Sequence, residues 1–156
     1  MPATATLEIG QSAPDFKLKG PGGQVVTLSE YRGSKNVVLA FYPLAFSPVC
    51  SHQLPMIQKD LGRLRALDAE VLGISVDSHY ANEAFAKHLM LSFPLLSDFS
   101  REISAAYGVL DPKMLSSARA LFVVDKHGRL AYKDVSASPD QIPSNESVLQ
   151  ALEALR

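Results

Sequence analysis

The chain is poor in cysteine. Cys50 is the only one in 156 residues, so no intrachain disulfide can form and a disulfide framework is excluded. A single unpaired thiol fits a reducing compartment, and a cytoplasmic location is expected. Neither sign of charge is in excess: 15 Lys+Arg face 16 Asp+Glu, a formal net charge of −1. With no basic run or stripe, the electrostatic case for a nucleic-acid or anionic-membrane partner falls away. No apolar run reaches the ~18 residues of a transmembrane helix. Residues 1–10 lack a basic stretch followed by an apolar one, so no signal peptide is read there. Nucleotide-binding loops of the Gly-x-x-x-x-Gly-Lys or Gly-x-Gly-x-x-Gly type are absent. Cys-x-x-Cys is absent too, which excludes a dithiol oxidoreductase. His52, His79, His88 and His127 show no zinc-type spacing. No metal and no cofactor are expected.

What is present is a globular composition. Hydrophobic residues make up 47% of the chain, too many for intrinsic disorder. The length suits one domain over residues 1–156. Short apolar stretches at 16–18 and 25–27 flank Gly20-Pro21-Gly22-Gly23 and predict a small N-terminal hairpin. Residues 36–42 form a continuous β-branched and apolar run, the pattern of a strand buried on both faces. Leu54, Ile57, Leu61, Leu64 and Leu67 recur every three or four residues, which predicts one amphipathic helix. Residues 70–76 are the next buried strand, so strand, helix and strand form a parallel βαβ unit.

A second helix is expected over 80–90, with Ala81, Phe85 and Leu89 on one face. A short one is expected over 101–107, stopped by Gly108. Residues 120–125 and 129–134 flank Lys126-His127-Gly128 as a hairpin. Ser144 is placed as the cap of a final helix with Val148, Leu152 and Leu155 inward. Asp77, Asp98 and Asp125 end apolar runs and read as turn or cap residues. The fold class is therefore α/β, a mixed sheet with helices on both faces.

Between the first buried strand and the first helix lies Pro43-Leu44-Ala45-Phe46-Ser47-Pro48-Val49-Cys50. Open α/β sheets bind ligands beyond the carboxyl ends of their strands. Cys50 falls in the first turn of the following helix, where free N–H groups and the helix dipole favour an anion. An unperturbed thiol is only ~3% ionised at pH 7, and peroxide or disulfide chemistry needs the thiolate. A lone cysteine can equally be a small core hydrophobe. Position by itself leaves both readings open.

Pro43, Ser47 and Cys50 match Pro-x-x-x-Thr/Ser-x-x-Cys, preceded by Phe41-Tyr42, and in this the chain resembles the peroxiredoxins. Ala118-Arg119-Ala120-Leu121-Phe122-Val123-Val124-Asp125 is similar to the strand that bears that family's active-site arginine. Ala13-Pro14-Asp15-Phe16 and Phe93-Pro94-Leu95-Leu96-Ser97-Asp98 add to the likeness, which spans nearly the whole chain. Within the family the chain looks closest to the bacterioferritin-comigratory and alkyl hydroperoxide reductase E types. The resemblance implies a thioredoxin-like fold and reduction of hydrogen peroxide or organic hydroperoxides by Cys50. It also suggests a homodimer.

The resemblance assigns roles residue by residue. Cys50 would be the nucleophile and become a sulfenic acid. Arg119, always charged and rich in donors, would stabilise the thiolate and the leaving oxygen. The Ser47 hydroxyl would bond the sulfur or the peroxide. Pro43, without an N–H, would shield the thiolate. Leu44 and Phe46 are candidates to line an apolar approach for an alkyl hydroperoxide.

Two positions depart from the family pattern. Gln53 stands where Glu is frequent; it is grouped with the pocket residues, and its amide excludes acid/base work while leaving orientation of Arg119 open. Pro55 stands where relatives that resolve internally can carry a second cysteine. An external thiol or thioredoxin-like reductant is then required, and a kink or early helix break is expected at Pro55. A peroxide-sensing module that oxidises without turnover is the alternative reading.

Overall fold

The computed structural model describes residues 7–138 and 141–156. Residues 1–6, part of the stretch read for a leader, lie outside the described residues. Strands β1 (Lys17–Lys19) and β2 (Val25–Thr27) pair antiparallel across the Gly-Pro-Gly-Gly turn, as expected. Strand β3 (Asn36–Phe41) is buried at every position. It runs parallel to β4 (Ala69–Ser75) and antiparallel to β6 (Ala120–Val124). β6 pairs in turn with β7 (Leu130–Val135).

A strand that the sequence patterning had not marked, β5 (Leu95–Ser97), lies parallel to β4 and joins the hairpin to the main sheet. Its three residues are too few to show any period. Among the described residues the sheet has seven strands in the order β2-β1-β5-β4-β3-β6-β7.

Alternation along β3 and β6 divides the core into two layers. Val38, Ala40, Tyr42, Leu121 and Val123 point to one face. Val37, Leu39, Phe41, Phe122 and Val124 point to the other. The first face is covered by α1 (Cys50–Lys59), α2 (Leu61–Ala66), α3 (His79–Leu89) and α5 (Asn145–Glu153) through Leu54, Ile57, Leu61, Leu64, Phe85 and Leu152. The second face is covered by the N-terminal segment and by the region of α4 (Glu102–Ala106), through Phe16, Leu18, Leu28, Tyr107 and Val109. Gly108 at φ 71° ends α4, and the Val109 and Gly108 amides donate back to the Ser104 and Ala105 carbonyls.

Four local expectations are corrected. The leucine stripe is buried as one surface, but it lies on two helices, because Asp60 at φ −93°, ψ 3° ends α1 and starts α2. The break does not fall at Pro55, through which α1 runs unbroken. Leu54 and Ile57 on either side are buried, and two such side chains contribute about 3–6 kcal/mol against the ~3 kcal/mol cost of an interior proline.

Ser144 occupies the N-cap of α5 but its side chain makes no capping bond. Asn145 instead donates to the Met56 carbonyl and to Asp60, tying α5 to α1. Leu155 lies past the helix end and is 40% exposed, while Leu149 takes the inward place.

Candidate active site

The site lies at the carboxyl end of β3, where the chain leaves the sheet and turns into α1. Cys50 is the first residue of α1 and is fully buried. The turn leading into it is tightened before the helix proper. Ser51 N–H donates to the Ser47 carbonyl at 3.0 Å, and the His52 and Gln53 amides donate to the Val49 carbonyl at 3.0 Å. The first-turn amides are thus partly used locally. The strongest donor aimed at the sulfur comes from elsewhere in the chain.

That donor is Arg119, just before β6 on the neighbouring strand. Its Nη1 lies 2.8 Å from Cys50 Sγ and 3.0 Å from Gln53 Oε1. Only 3% of Arg119 is exposed, which makes its charge far more effective than one in water. β6 pairs directly with β3 and brings Ala120 opposite Phe41. Two segments 69 residues apart in sequence therefore meet at the sulfur.

Gln53 lies beneath this pair rather than on an open pocket wall. It is buried, its Nε2 donates to the Phe41 carbonyl at 3.4 Å, and its Oε1 receives Arg119. Arg119 Nη1 thus meets both Gln53 Oε1 and the sulfur.

The Ser47 hydroxyl oxygen is buried and has no hydrogen-bond partner among the described residues. Buried hydroxyls are seldom left so. Pro43 and Leu44 border a cavity of about 170 Å³ whose wall also includes Met114, Ser117 and Arg119. Arg119 thus both lines the cavity and reaches the sulfur. Phe46 is placed differently from the expectation. It is not part of that wall; its backbone takes φ 65°, and its ring packs on Phe85 at 4.9 Å and His88 at 5.6 Å, against α3. The left-handed backbone turns the side chain away, and no residue pattern announces that at a non-glycine position.

Turn or cap roles are expected of the three aspartates. Asp98 accepts from the Ile103 and Ser104 amides at the start of α4. Asp125 accepts from the His127 and Arg129 amides in the β6–β7 turn. Asp77 does not cap α3, whose cap is Ser78. Its carboxylate instead accepts from the Ala45 amide in the Cys50 loop. Tyr42, which the sequence offers only as part of the motif, reaches this region, as do Ser75, Asn82 and Ser117, which no sequence pattern marks. Burial pushes the Tyr42 hydroxyl well above its ordinary range, so it stays a donor, to Asn82 Oδ1. Ser117 Oγ donates to the Tyr42 carbonyl at 2.9 Å.

Among the described residues no helix is long and apolar enough to cross a membrane. Residues 9–133 match the model of the AhpC/TSA family. Alkyl hydroperoxide reductase E of Mycobacterium tuberculosis is 36% identical over 151 residues, covering 96% of this chain and 98% of that protein. Among solved structures, the reduced 2-Cys peroxiredoxin of Plasmodium vivax superposes with a TM-score of 0.87 at 30% identity, over 94% of this chain and 81% of that one. The peroxidoxin BcpB of Mycobacterium tuberculosis gives 0.87 at 27% identity, over 96% and 99%. Sequence and backbone agree along almost the full length of the chain, and the sheet is the thioredoxin-like one of those structures: the chain belongs to the AhpC/TSA family, the peroxiredoxins, in a form with a single cysteine.

Proposed function

We propose that the chain is a thiol-dependent peroxidase that reduces hydrogen peroxide or organic hydroperoxides through Cys50. The observation that carries this is the buried Arg119 Nη1 at 2.8 Å from Cys50 Sγ. A fixed positive charge in contact with a buried sulfur is placed to stabilise the negative charge that the reaction moves through it. The thiolate attacks one peroxide oxygen, the O–O bond breaks, and Cys50 becomes a sulfenic acid. The other oxygen takes a proton and leaves as water or an alcohol. Full ionisation of an ordinary thiol gains only about thirtyfold, or ~2 kcal/mol. The rest of the barrier must fall to groups that bind the reacting oxygens, and Arg119 and the Ser47 hydroxyl take that role. Pro43 and Leu44 border the approach.

Residues 1–156 act as one catalytic domain in this proposal, in a reducing, cytoplasmic setting that keeps the lone thiol available. A homodimer is part of it, supported by the exposed Leu44, Met114 and Leu115 beside the cavity. With one cysteine, the sulfenic acid condenses with an external thiol. A second thiol, small or on a thioredoxin-like protein, then releases Cys50 as the mixed disulfide is reduced. Excess peroxide diverts Cys50 to sulfinic acid.

Steady-state consumption of hydrogen peroxide and cumene hydroperoxide, with and without dithiothreitol, tests the proposal. Sustained turnover that requires the dithiol is expected. Loss of one equivalent with no further turnover would leave only a sensor that oxidises once. No loss at all would remove both readings.

A further inference from the structure

The loop from Pro43 to Val49 is held at its two ends by regular structure. At its start the Tyr42 amide donates to the Ile74 carbonyl, and the Tyr42 carbonyl accepts Ser117 Oγ. At its end it runs into α1. In between, it carries Ser47 and the strained Phe46 at φ 65°. The Ser47 carbonyl accepts from the Ser51 amide and Oγ, and the Val49 carbonyl from the His52 and Gln53 amides, which ties the end of the loop to α1. Away from α1, the described residues show one hydrogen bond from the middle of the loop to another part of the chain: the Ala45 amide donates to Asp77 Oδ2 at 2.8 Å.

Asp77 is itself fixed. It follows β4, whose carboxyl end lies beside that of β3 because the two strands are parallel, with Phe41 opposite Ile74. Ser75 Oγ lies 2.7 Å from the same Asp77 Oδ2. That hydroxyl has one proton. It accepts from the Asp77 amide and from Asn82 Nδ2, while Asn82 Oδ1 is occupied by the Tyr42 hydroxyl. The Ser75 proton therefore goes to the carboxylate. Ser97 Oγ, at the end of β5, donates to the Asp77 carbonyl at 2.6 Å. The carboxylate is thus set by the ends of β4 and β5 and presents its remaining acceptor capacity to the Cys50 loop.

We propose that Asp77 is a positioning residue for peroxide reduction, its carboxylate fixing the middle of the loop that brings Pro43 and Ser47 to Cys50. This rests on the peroxidase reading. Asp77 touches neither the sulfur nor the peroxide; it acts through the Ala45 amide on where the Ser47 hydroxyl lies when the peroxide arrives. Cys50 and Arg119 are anchored independently, by α1 and by the β3–β6 pairing. Alkylation of Cys50, which needs the thiolate but no bound peroxide, should therefore be nearly indifferent to Asp77.

Three quantities test this for the full chain and for Asp77→Ala and Asp77→Asn: the rate of Cys50 oxidation by hydrogen peroxide, the rate of its alkylation by iodoacetamide, and the urea midpoint. For Asp77→Ala, oxidation is expected to slow by about tenfold or more, since small misplacements of reacting groups are costly. Its alkylation should change by less than about threefold. Asp77→Asn keeps one oxygen that can accept from both the Ala45 amide and Ser75 Oγ, as Oδ2 does now, and most of the lost rate should return. If Asp77→Ala does not fold, Asp77→Ser, too short to reach Ala45, carries the same expectation. Unchanged oxidation, equal losses in both reactions, or an Asn variant no better than the Ala one would overturn the proposal. Failure of the unsubstituted chain to oxidise would instead overturn the peroxidase reading.

Discussion

Arg119→Met is expected to slow oxidation of Cys50 by hydrogen peroxide by about a thousandfold, the upper range for removal of one preorganised donor from a closed site. The guanidinium donates to the sulfur and to Gln53 from a nearly solvent-free position. As the O–O bond breaks, negative charge moves from sulfur onto the departing oxygen. A fixed cation beside the sulfur can follow that charge without reorganising. Methionine fills a similar length with apolar atoms and no donor. The substitution takes from the buried Gln53 Oε1 the Arg119 donor, a cost of about 1–3 kcal/mol, which a domain with ~5–15 kcal/mol of stability can bear.

The diagnostic is a ratio. Alkylation by iodoacetamide reports the loss of thiolate alone, whereas peroxide oxidation reports that loss plus the loss at the leaving oxygen. Oxidation should therefore fall further than alkylation. Equal losses would mean that Arg119 acts only on the sulfur's charge. Arg119→Lys should recover only part of the rate, because one ammonium lacks the planar fork that serves Cys50 and Gln53 together.

Ser47→Ala should slow the same oxidation by about a hundredfold while leaving the protein at least as stable. The two halves of that prediction come from one observation. The Ser47 hydroxyl oxygen is buried without a protein partner among the described residues. A buried hydroxyl with no bond costs the fold about 1–3 kcal/mol. Alanine removes that cost, so the urea midpoint should hold or rise. In the proposed reaction the peroxide is its partner, since it can accept the hydroxyl's proton or donate its own. A variant that lost stability, or one that kept its rate within twofold, would show that Ser47 serves the loop rather than the reaction.

How much of this was legible in the sequence depends on what kind of signal each feature leaves. The uninterrupted apolar run of β3 marks a strand buried on both faces, and each of its residues is buried. Gly108 marks a helix end because it supplies the left-handed conformation that the end requires. The Pro-x-x-x-Ser-x-x-Cys spacing is local and survives as a contiguous loop, so Pro43, Ser47 and Cys50 could be named from it.

Other features depend on contacts between distant segments. β5 is short and makes sense only between its neighbours β1 and β4. The break at Asp60 leaves the apolar stripe intact, so periodicity does not register it. The role of Gln53 beneath Arg119 and of Asp77 beside Ala45 appears only once strands remote in sequence lie side by side. An aspartate after an apolar run reads as a turn residue, and nothing local distinguishes one whose partner is 32 residues away.

The most direct measurement is the intact mass of the reduced protein after one equivalent of hydrogen peroxide, with a dimedone adduct used to trap sulfenic acid. The account predicts one added oxygen, located by peptide mapping at Cys50 and convertible to the adduct, and its removal by subsequent dithiothreitol. An unmodified Cys50, or oxidation confined to exposed methionines such as Met90 and Met114, would contradict it.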